Sequence, residues 1–482
     1  MISGGNAALI ARFRRGLLAQ AKAEQVKPEP PACPPDLTLA NPAGLLSYQV
    51  RPATELAWIL KNNRGAFDGS DTGTGKTYQT LAAFRELGES PLVVCPKAVI
   101  PSWHRAAAHL GVKLVDAVSW ELVRKPGRTP YYDTAKRWHV PVIFDEVHRA
   151  KALDTLNSDM VHAARVSDVL SIGASATAAT SPLDLRALGY LIGLHESHNF
   201  LAWSRSYGCR KGFAGWEFRG SADDLRRLHS TIFPSRGVRV RIADLGELFP
   251  ETQILAEAYE SDQCPEIQRA YDDMEAELQE LAARMADDYS AVLVEMLRSR
   301  QKIELLKVPL FAELVQQGLE NGQRVAVFVN YDQTRLSLLE RLQAAGVKTG
   351  SIHGGQTVDE RQSAIDGFQA DALEAVVCNT AAGGVGVSLH DIRGEFPRLA
   401  LISPDFSAVK LKQVLGRVHR AGGRTKSQQK IVFVSGTVED GVCRSVAAKL
   451  GNLDVLNDGD FVPGSVTEVL KGWYNRATGS AD

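Results

Sequence analysis

The chain has 482 residues, 44% hydrophobic and 23% charged, an ordinary balance for a soluble globular protein and enough for roughly two to four domains. A formal net charge of -1 excludes a global basic field, although cations gathered in one groove can still meet a nucleic acid. Six scattered cysteines (Cys33, Cys95, Cys209, Cys264, Cys378, Cys443) form no C-x-x-C pair, which argues against a zinc ribbon or disulfide framework and fits a reducing compartment.

Residues 1–25 read as a basic amphipathic helix. They lack an apolar core followed by a small-residue cleavage site; a mitochondrial-type presequence is the alternative, against which serine is sparse. No apolar stretch approaches membrane-spanning length, so the expectation is a soluble, intracellular protein with no membrane partner. A proline-rich linker, VKPEPPACPPDLTLANPAG, then ends the helix.

From about residue 45 to 255 short apolar runs alternate with helical patterns. PLVVCP (91–96), VPVIFDE (140–146) and VLSIGAS (169–175) have the continuous apolar character of buried parallel strands. Residues 201–241 are basic with interleaved aromatics (Trp203, Tyr207, Phe213, Trp216, Phe218), which fits either a nucleic-acid-binding insertion or a solvated face over a small core. Residues 244–290 turn acidic, and the stretch beginning EIQRAYDDMEAELQEL is helical by period. A second alternating region starts near residue 306, with strand-like runs RVAVFVNY (324–331), EAVVCNT (374–380), RLALISP (398–404) and KIVFVSG (430–436). The expected organisation is an α/β protein of two lobes, each a parallel sheet flanked by helices. The boundaries are 1–40 for the N-terminal helix and linker, 41–255 for lobe 1, 256–305 for a helical linker, 306–455 for lobe 2 and 456–482 for a tail.

The strongest local signal is SDTGTGKT (70–77). Gly73, Thr74 and Gly75 let backbone N–H groups turn around a phosphate, Lys76 can reach the β- and γ-phosphates of ATP, and the Thr77 hydroxyl can hold Mg²⁺. The helix that follows points its positive dipole end at the anion. Ser70 stands where such loops open with Gly or Ala, a small departure. FDEVH (144–148) ends an apolar strand, where Asp145 suits a water-mediated Mg²⁺ ligand and Glu146 can orient and deprotonate attacking water. Two other patterns lead nowhere: His195, Glu196 and His198 miss the zinc-protease register, and the carboxylates of 262–290 contain no calcium loop. No nuclease signature is present.

Gln49, the phosphate loop and the D-E-x-H run, in this order, resemble a superfamily-two helicase, and the resemblance extends over residues 45 to 450. Within it the chain looks most like the Swi/Snf-related translocases, in particular their small annealing-helicase-like branch. The resemblance implies two RecA-like lobes, with Gln49 as an adenine reader. VVCPKAVIPSWHR (93–105) and VSWELV (118–123) are similar to DNA-contacting segments, and Trp103 within the first reads as core packing rather than a base-stacking platform. GASATAATSPLDLRALGYLIGL (173–194) is similar to the coupling segment, which places Ser175 and Thr177 with His148 and Gln413 as coupling residues. SIHGGQTVDERQSAIDGFQ (351–369) and CNTAAGGVGVSLHDI (378–392) resemble strand-holding segments of the second lobe. Lys97, Ser102, Asn330, His353, Gly354 and Thr380 follow as nucleic-acid contacts, His353 being as readily a turn histidine; Gly386 joins the ATP site, and Ser388 replaces the family's Asn. QVLGRVHRAGG (413–423) matches the Q-x-x-G-R-x-x-R pattern, with Arg417 and Arg420 three apart on an expected helix.

An arginine that reaches ATP from the opposite lobe is worth about 10³–10⁵ in rate, so hydrolysis should be gated by closure of the cleft. The resulting expectation is an ATP- and Mg²⁺-dependent, DNA-stimulated ATPase that moves along DNA without reading its sequence, with duplex the favoured track. Any nuclease activity would come from a replication or recombination partner. Two rivals stay open: a strand-separating DNA or RNA helicase, and a scaffold with a decayed ATPase. No wedge hairpin is legible in the sequence. The small size suggests a bacterial or phage member acting in the cytoplasm, or in the nucleus if eukaryotic.

Overall fold

The structure, a computed structural model, describes residues 30–152, 155–212, 215–246, 252–259, 300–380, 387–404, 407–420 and 422–434, with isolated positions 265, 266, 269, 272, 273, 276, 298, 450, 456 and 458. The expected N-terminal helix, most of the acidic linker helix and Gly386 lie outside the described residues.

The first lobe opens with α1 (Ser47–Asn63), β1 (Gly65–Asp68), α2 (Lys76–Glu86), β2 (Leu92–Cys95), α3 (Ile100–Leu110), β3 (Asp116–Ser119) and the short α4 (Trp120–Val123). It continues through β4 (Val142–Asp145), α5 (Leu156–Val166), β5 (Ser171–Ala174), α6 (Arg186–Leu191) and α7 (Phe200–Ser206), then β6 (Cys209–Gly212), β7 (Gly215–Phe218), α8 (Ala222–Ile232) and β8 (Gly237–Val238). Six strands pair in parallel in the order β3-β2-β4-β5-β1-β8, leaving β6 and β7 as a separate antiparallel hairpin. Successive residues of β4 serve opposite faces: Val142 and Phe144 pack with Trp120 and Trp138, Ile143 with Leu81 and Trp103. A strand covered on both faces needs apolar residues throughout, which is why its sequence reads as an uninterrupted run.

The second lobe comprises β9 (Thr252–Tyr259), α9 (Val308–Glu320), β10 (Arg324–Val329), α10 (Asp332–Ala344), β11 (Thr349–Ile352), α11 (Val358–Gln369), β12 (Ala375–Asn379), β13 (Arg398–Ile402), α12 (Ala408–Leu415) and β14 (Ser427–Val434). Its sheet is also six-stranded and parallel, ordered β11-β12-β10-β13-β14-β9. Ala326 and Phe328 of β10 face one core, Val325, Val327 and Val329 the other. Full burial of each such side chain stabilises the lobe by about 1.5–3 kcal/mol before conformational entropy is subtracted.

β9 pairs with β14 from Thr252 to Tyr259, so the chain crosses between lobes ahead of residue 252 rather than at 255, and residues 256–259 are strand where a helical linker was expected. Chain order misleads here, because this edge strand belongs to a sheet whose other strands come later. The tail also differs from a plain appendage. Leu456 is buried in the first lobe's core beside Leu228 and Ile232, and Asp458 pairs with Arg239 there.

The basic 201–241 region packs onto the first lobe's core, in which Tyr207, Leu225, Leu228 and Ile232 are buried, and Cys209 is buried as well. Two of its arginines lie over aromatic rings, Arg205 on Trp216 and Arg227 on Tyr207. Both surround the β6–β7 hairpin, which the sequence did not reveal.

Candidate ATP site between the lobes

Parallel α/β sheets present ligand sites at the carboxyl ends of their strands, where loops and helix N-termini converge. In the first lobe Asp68 and Asp145 both register with Ala174, which places three strand ends side by side. From β1 the chain enters the loop that leads to α2. Gly73 and Gly75 adopt φ values of 93° and 94°, left-handed conformations that glycine takes without strain. A Cβ on Gly75 would fall 2.1 Å from Gln49 Nε2. Gln49 itself is buried, its Nε2 donating to the Thr74 carbonyl (3.1 Å) and its Oε1 accepting from Leu46 N–H (3.0 Å). The expected adenine reader therefore braces the phosphate loop directly.

Lys76 lies inside this loop, Nζ donating to the carbonyls of Ser70 (2.8 Å) and Asp71 (3.0 Å). Burial lowers its pKa, and Asp68, Glu146, Asp145 and Asp71 oppose that shift. Two carboxylates hold the loop from beneath. Asp68 Oδ1 accepts from Ser70 N–H (3.0 Å), and Asp71 Oδ2 accepts from Ile242 N–H (3.0 Å). Arg239 completes the frame, with Nη2 2.9 Å from Asp71, Nη1 donating to the Gly69 carbonyl (2.5 Å) and Nε donating to Asp458 (2.7 Å). Neither Asp68 nor Arg239 was legible as a site residue, because their meaning lies in long-range contacts and not in spacing.

Asp145 ends β4, and Glu146 follows it at φ 53°, an uncommon conformation for a residue with a Cβ. Trp103 Nε1 donates to Asp145 Oδ2 (3.1 Å), Glu146 N–H to Asp145 Oδ1 (3.0 Å) and Trp120 Nε1 to the Asp145 carbonyl (3.0 Å). Trp103 is core packing as expected, and it also grips the carboxylate. Burial and the neighbouring Glu146 push the Asp145 pKa up. For Glu146 burial pushes the same way, but the bond and charge of His148, then Lys76 and Arg417, win and hold the carboxyl low. Glu146 is thus held ionised, the state a base requires.

A polar chain leaves this carboxylate. His148 Nδ1 lies 3.2 Å from Glu146 Oε2 and 3.1 Å from Ser175 Oγ, which also accepts from Thr177 N–H (3.2 Å). Gln413 of the second lobe arrives from the other side, its Nε2 3.5 Å from Glu146 Oε2 and 3.4 Å from His148 Nε2. These last two are long contacts that a small closing motion would shorten. The four expected coupling residues are brought together.

Arg417 and Arg420 meet the first lobe as well, though not on a helix. α12 ends at Leu415, and Gly416 turns the chain away, its hydrogen lying against Thr72 where a Cβ would be 2.9 Å from the threonine Cβ. Any side chain at 416 would separate the lobes, so the helix stops at the contact. Arg417 donates to the Val387 carbonyl (3.4 Å), and Arg420 to Ser388 Oγ (2.8 Å), which gives Ser388 a definite role. Burial lowers both guanidinium pKa values; the adjacent Arg417 lowers that of Arg420 further, and Glu146 holds both up. Two like charges beside a phosphate loop, Arg417 buried and Arg420 part-buried, form a site that favours an anion.

The donor set also fits a magnesium ion. Thr77 and Asp145 offer hard oxygen ligands, and the described residues contain no cluster of three or more His, Cys, Asp or Glu placed to hold a metal. A magnesium ion beside phosphates keeps several waters and takes one or two such protein ligands.

The expected nucleic-acid contacts divide. Lys97 and Gly354 are exposed, and Ser102 accepts from Arg105 at the outer side of α3 (3.0 Å). His353 is part-exposed and braces its own turn, Nδ1 accepting from Gly355 N–H (3.3 Å). Asn330 and Thr380 face inward: Asn330 Nδ2 donates to Glu304 (2.9 Å) and to the Pro404 carbonyl (3.2 Å), and the buried Thr380 donates to the Val329 carbonyl (3.0 Å). Glu304, a buried carboxylate from the linker, claims the asparagine; a single sequence gives no sign of this pairing.

Fold and site together define a two-lobed ATPase core. A family model for the helicase conserved C-terminal domain matches residues 306–422. A chain from Acanthamoeba polyphaga mimivirus, named as a candidate ATP-dependent RNA helicase, is 33% identical over 467 residues, covering 88% of this chain and 86% of that one. The chromatin remodeling factor mit1 of Schizosaccharomyces pombe is 27% identical over 139 residues, 28% of this chain and 10% of its own length. Among solved structures, a Sulfolobus solfataricus SWI2/SNF2 ATPase core in complex with dsDNA aligns over 93% of this chain and 99% of its own, at 17% identity and a TM-score of 0.36. The protein belongs to the superfamily-two ATP-dependent helicases.

Proposed function

We propose that this helicase-family protein is a Swi/Snf-like translocase that hydrolyses ATP with Mg²⁺ in the cleft between its lobes and moves along duplex DNA. The observation that carries the reading is the pair of guanidiniums, buried Arg417 and part-buried Arg420, delivered by the second lobe against the phosphate loop and Glu146 of the first. Phosphoryl transfer depends on positioning and charge neutralisation, and this cleft supplies both only when closed. Lys76 and the loop N–H groups hold the phosphates, and Glu146 accepts the proton of the attacking water. Arg417 and Arg420 neutralise charge developing on the transferred group. Thr77 and Asp145 would hold the metal, which when bound would add to the neutralisation of phosphate charge. Glu146, His148 and Gln413 register whether the lobes have met, so hydrolysis follows closure, and repeated closure steps the grips along a strand.

A track followed without regard to sequence should be gripped by its phosphates. Exposed Lys97 and Gly354 and the outer side of α3 at Ser102 suit that task. The second reading is an RNA or strand-separating helicase, and the name of the mimivirus relative favours it. ATPase stimulation by duplex DNA, single-stranded DNA and RNA, paired with triplex- and strand-displacement assays, separates the two. The proposal expects duplex stimulation with triplex displacement. Stimulation by RNA alone, or strand separation without triplex displacement, would replace it with the second reading.

A further inference from the structure

Asp145 is held by two tryptophans from two different helices. Trp103 of α3 donates its indole N–H to the carboxylate at 3.1 Å, and Trp120 of α4 donates to the backbone carbonyl at 3.0 Å. Both rings are almost fully buried, at 2% and 1% exposure, so water does not compete for these bonds. Trp120 fixes the backbone where the chain enters the left-handed Glu146 turn, and Trp103 fixes the carboxylate that precedes it. Indole nitrogen can only donate, so each bond orients Asp145 in one sense.

α3 has two unlike faces. Trp103, Ala106, Ala107 and Leu110 are buried, whereas His104 and Arg105 are exposed, and Lys97 is exposed one turn ahead of the helix. A polyanion lying across the outer face would act on the same rigid element whose inner face holds Asp145. We propose that Trp103, supported by Trp120, is a positioning residue that transmits nucleic-acid phosphate contact at the outer face of α3 to the Asp145–Glu146 pair. The inference rests on the reading of the cleft as a nucleic-acid-stimulated ATP site. Displacement of α3 by a bound backbone shifts the indole, and the indole sets the direction in which Asp145 presents its oxygens. Unstimulated hydrolysis then reflects a carboxylate not yet aligned.

Trp103→Phe keeps an aromatic body and removes the donor. Its ATPase should lose about tenfold of the stimulation given by saturating duplex DNA, through kcat, with the KM for duplex unchanged, as expected for one bond to a charged group. A second readout needs no turnover: the free Mg²⁺ concentration required for binding of a fluorescent ADP analogue should rise in Trp103→Phe. Trp120→Phe should show the same signature, which keeps the inference testable if one variant folds poorly. Trp138→Phe is the control, since Trp138 is equally buried and donates to the Met160 carbonyl away from the site. Full stimulation and unchanged Mg²⁺ dependence in both Trp103→Phe and Trp120→Phe would overturn the inference, as would an equal loss in Trp138→Phe. A wild-type enzyme that hydrolyses ATP with no response to any nucleic acid would overturn the underlying reading and the inference with it.

Discussion

Arg420 of the second lobe lies against Gly73 of the phosphate loop, so that a Cβ on the glycine would come within 3.2 Å of the arginine Cγ. Gly73 is also left-handed, at φ 93°. The same position therefore must lack a side chain for two reasons, one local and one set by the opposite lobe. Gly73→Ala should pay about 1–2 kcal/mol in backbone strain and also hold the arginine off. Turnover should fall by about tenfold or more, given that each 1.36 kcal/mol is a factor of ten. A steady-state ATPase assay checks this, and near-normal turnover would show that the contact is dispensable.

The site itself is tested most simply through Lys76 and Glu146. Lys76→Ala and Glu146→Gln should each abolish nucleic-acid-stimulated ATP turnover while circular dichroism and Tm report an intact fold. Glu146→Gln also removes the carboxylate that faces His148, Lys76 and Arg417, so its Tm should fall somewhat below that of the wild type without loss of the fold. Undiminished turnover in either variant would sink the assignment.

Gln413 contacts both Glu146 and His148 across the cleft. Gln413→Ala and His148→Ala should each lower kcat with little change in the KM for ATP. Together they should cost less than the sum of their separate effects, because residues of one network are not additive. A double-mutant cycle on stimulated kcat measures this, and strict additivity would mean that the contacts carry no coupling.

How much of this was legible in the sequence depends on the kind of signal. The phosphate loop, D-E-x-H and Q-x-x-G-R-x-x-R announce themselves because spacing along the chain fixes their geometry. The apolar runs that contain β2, β4, β5, β10, β12, β13 and most of β14 were equally plain. β1 (GAFD), β3 (DAVS) and β8 (GV) were not, since four residues or fewer with small or polar members carry no usable period. The helix expected under Arg417 and Arg420 fails for a tertiary reason: Gly416 must stop it where Thr72 of the other lobe arrives. Asn330 and Thr380 were drawn outward by resemblance, yet Glu304 and the Val329 carbonyl hold them inside. Partners distant in sequence decide such cases.

Asp71 and Arg239 offer a stability prediction with a definite pH sign. The pair is largely buried, with side-chain exposures of 19% and 8%. Burial raises the Asp71 pKa, but the guanidinium and its neighbours pull harder and leave it below the ordinary carboxylate value. A carboxyl depressed in the folded state stabilises the fold above its unfolded pKa, about 3.9, and that contribution fades as pH falls through the lower folded value. Asp71→Asn should therefore destabilise the protein by about 1.5–3 kcal/mol at neutral pH, because it removes one of the two carboxylates, with Asp458, that neutralise the buried arginine. The gap between wild type and variant should narrow only below about pH 4. Denaturant melts across the acid range check it, and a gap that narrows between neutral pH and pH 5 would point to another group.

The central claim is that an arginine from one lobe completes the ATP site of the other. Single-turnover hydrolysis by Arg420→Ala, measured beside its equilibrium affinity for ATP, tests this most directly. The predicted result is a rate of bound-ATP hydrolysis reduced by about 10³-fold with affinity little changed. A variant that binds ATP poorly yet hydrolyses what it binds at the normal rate would contradict the account.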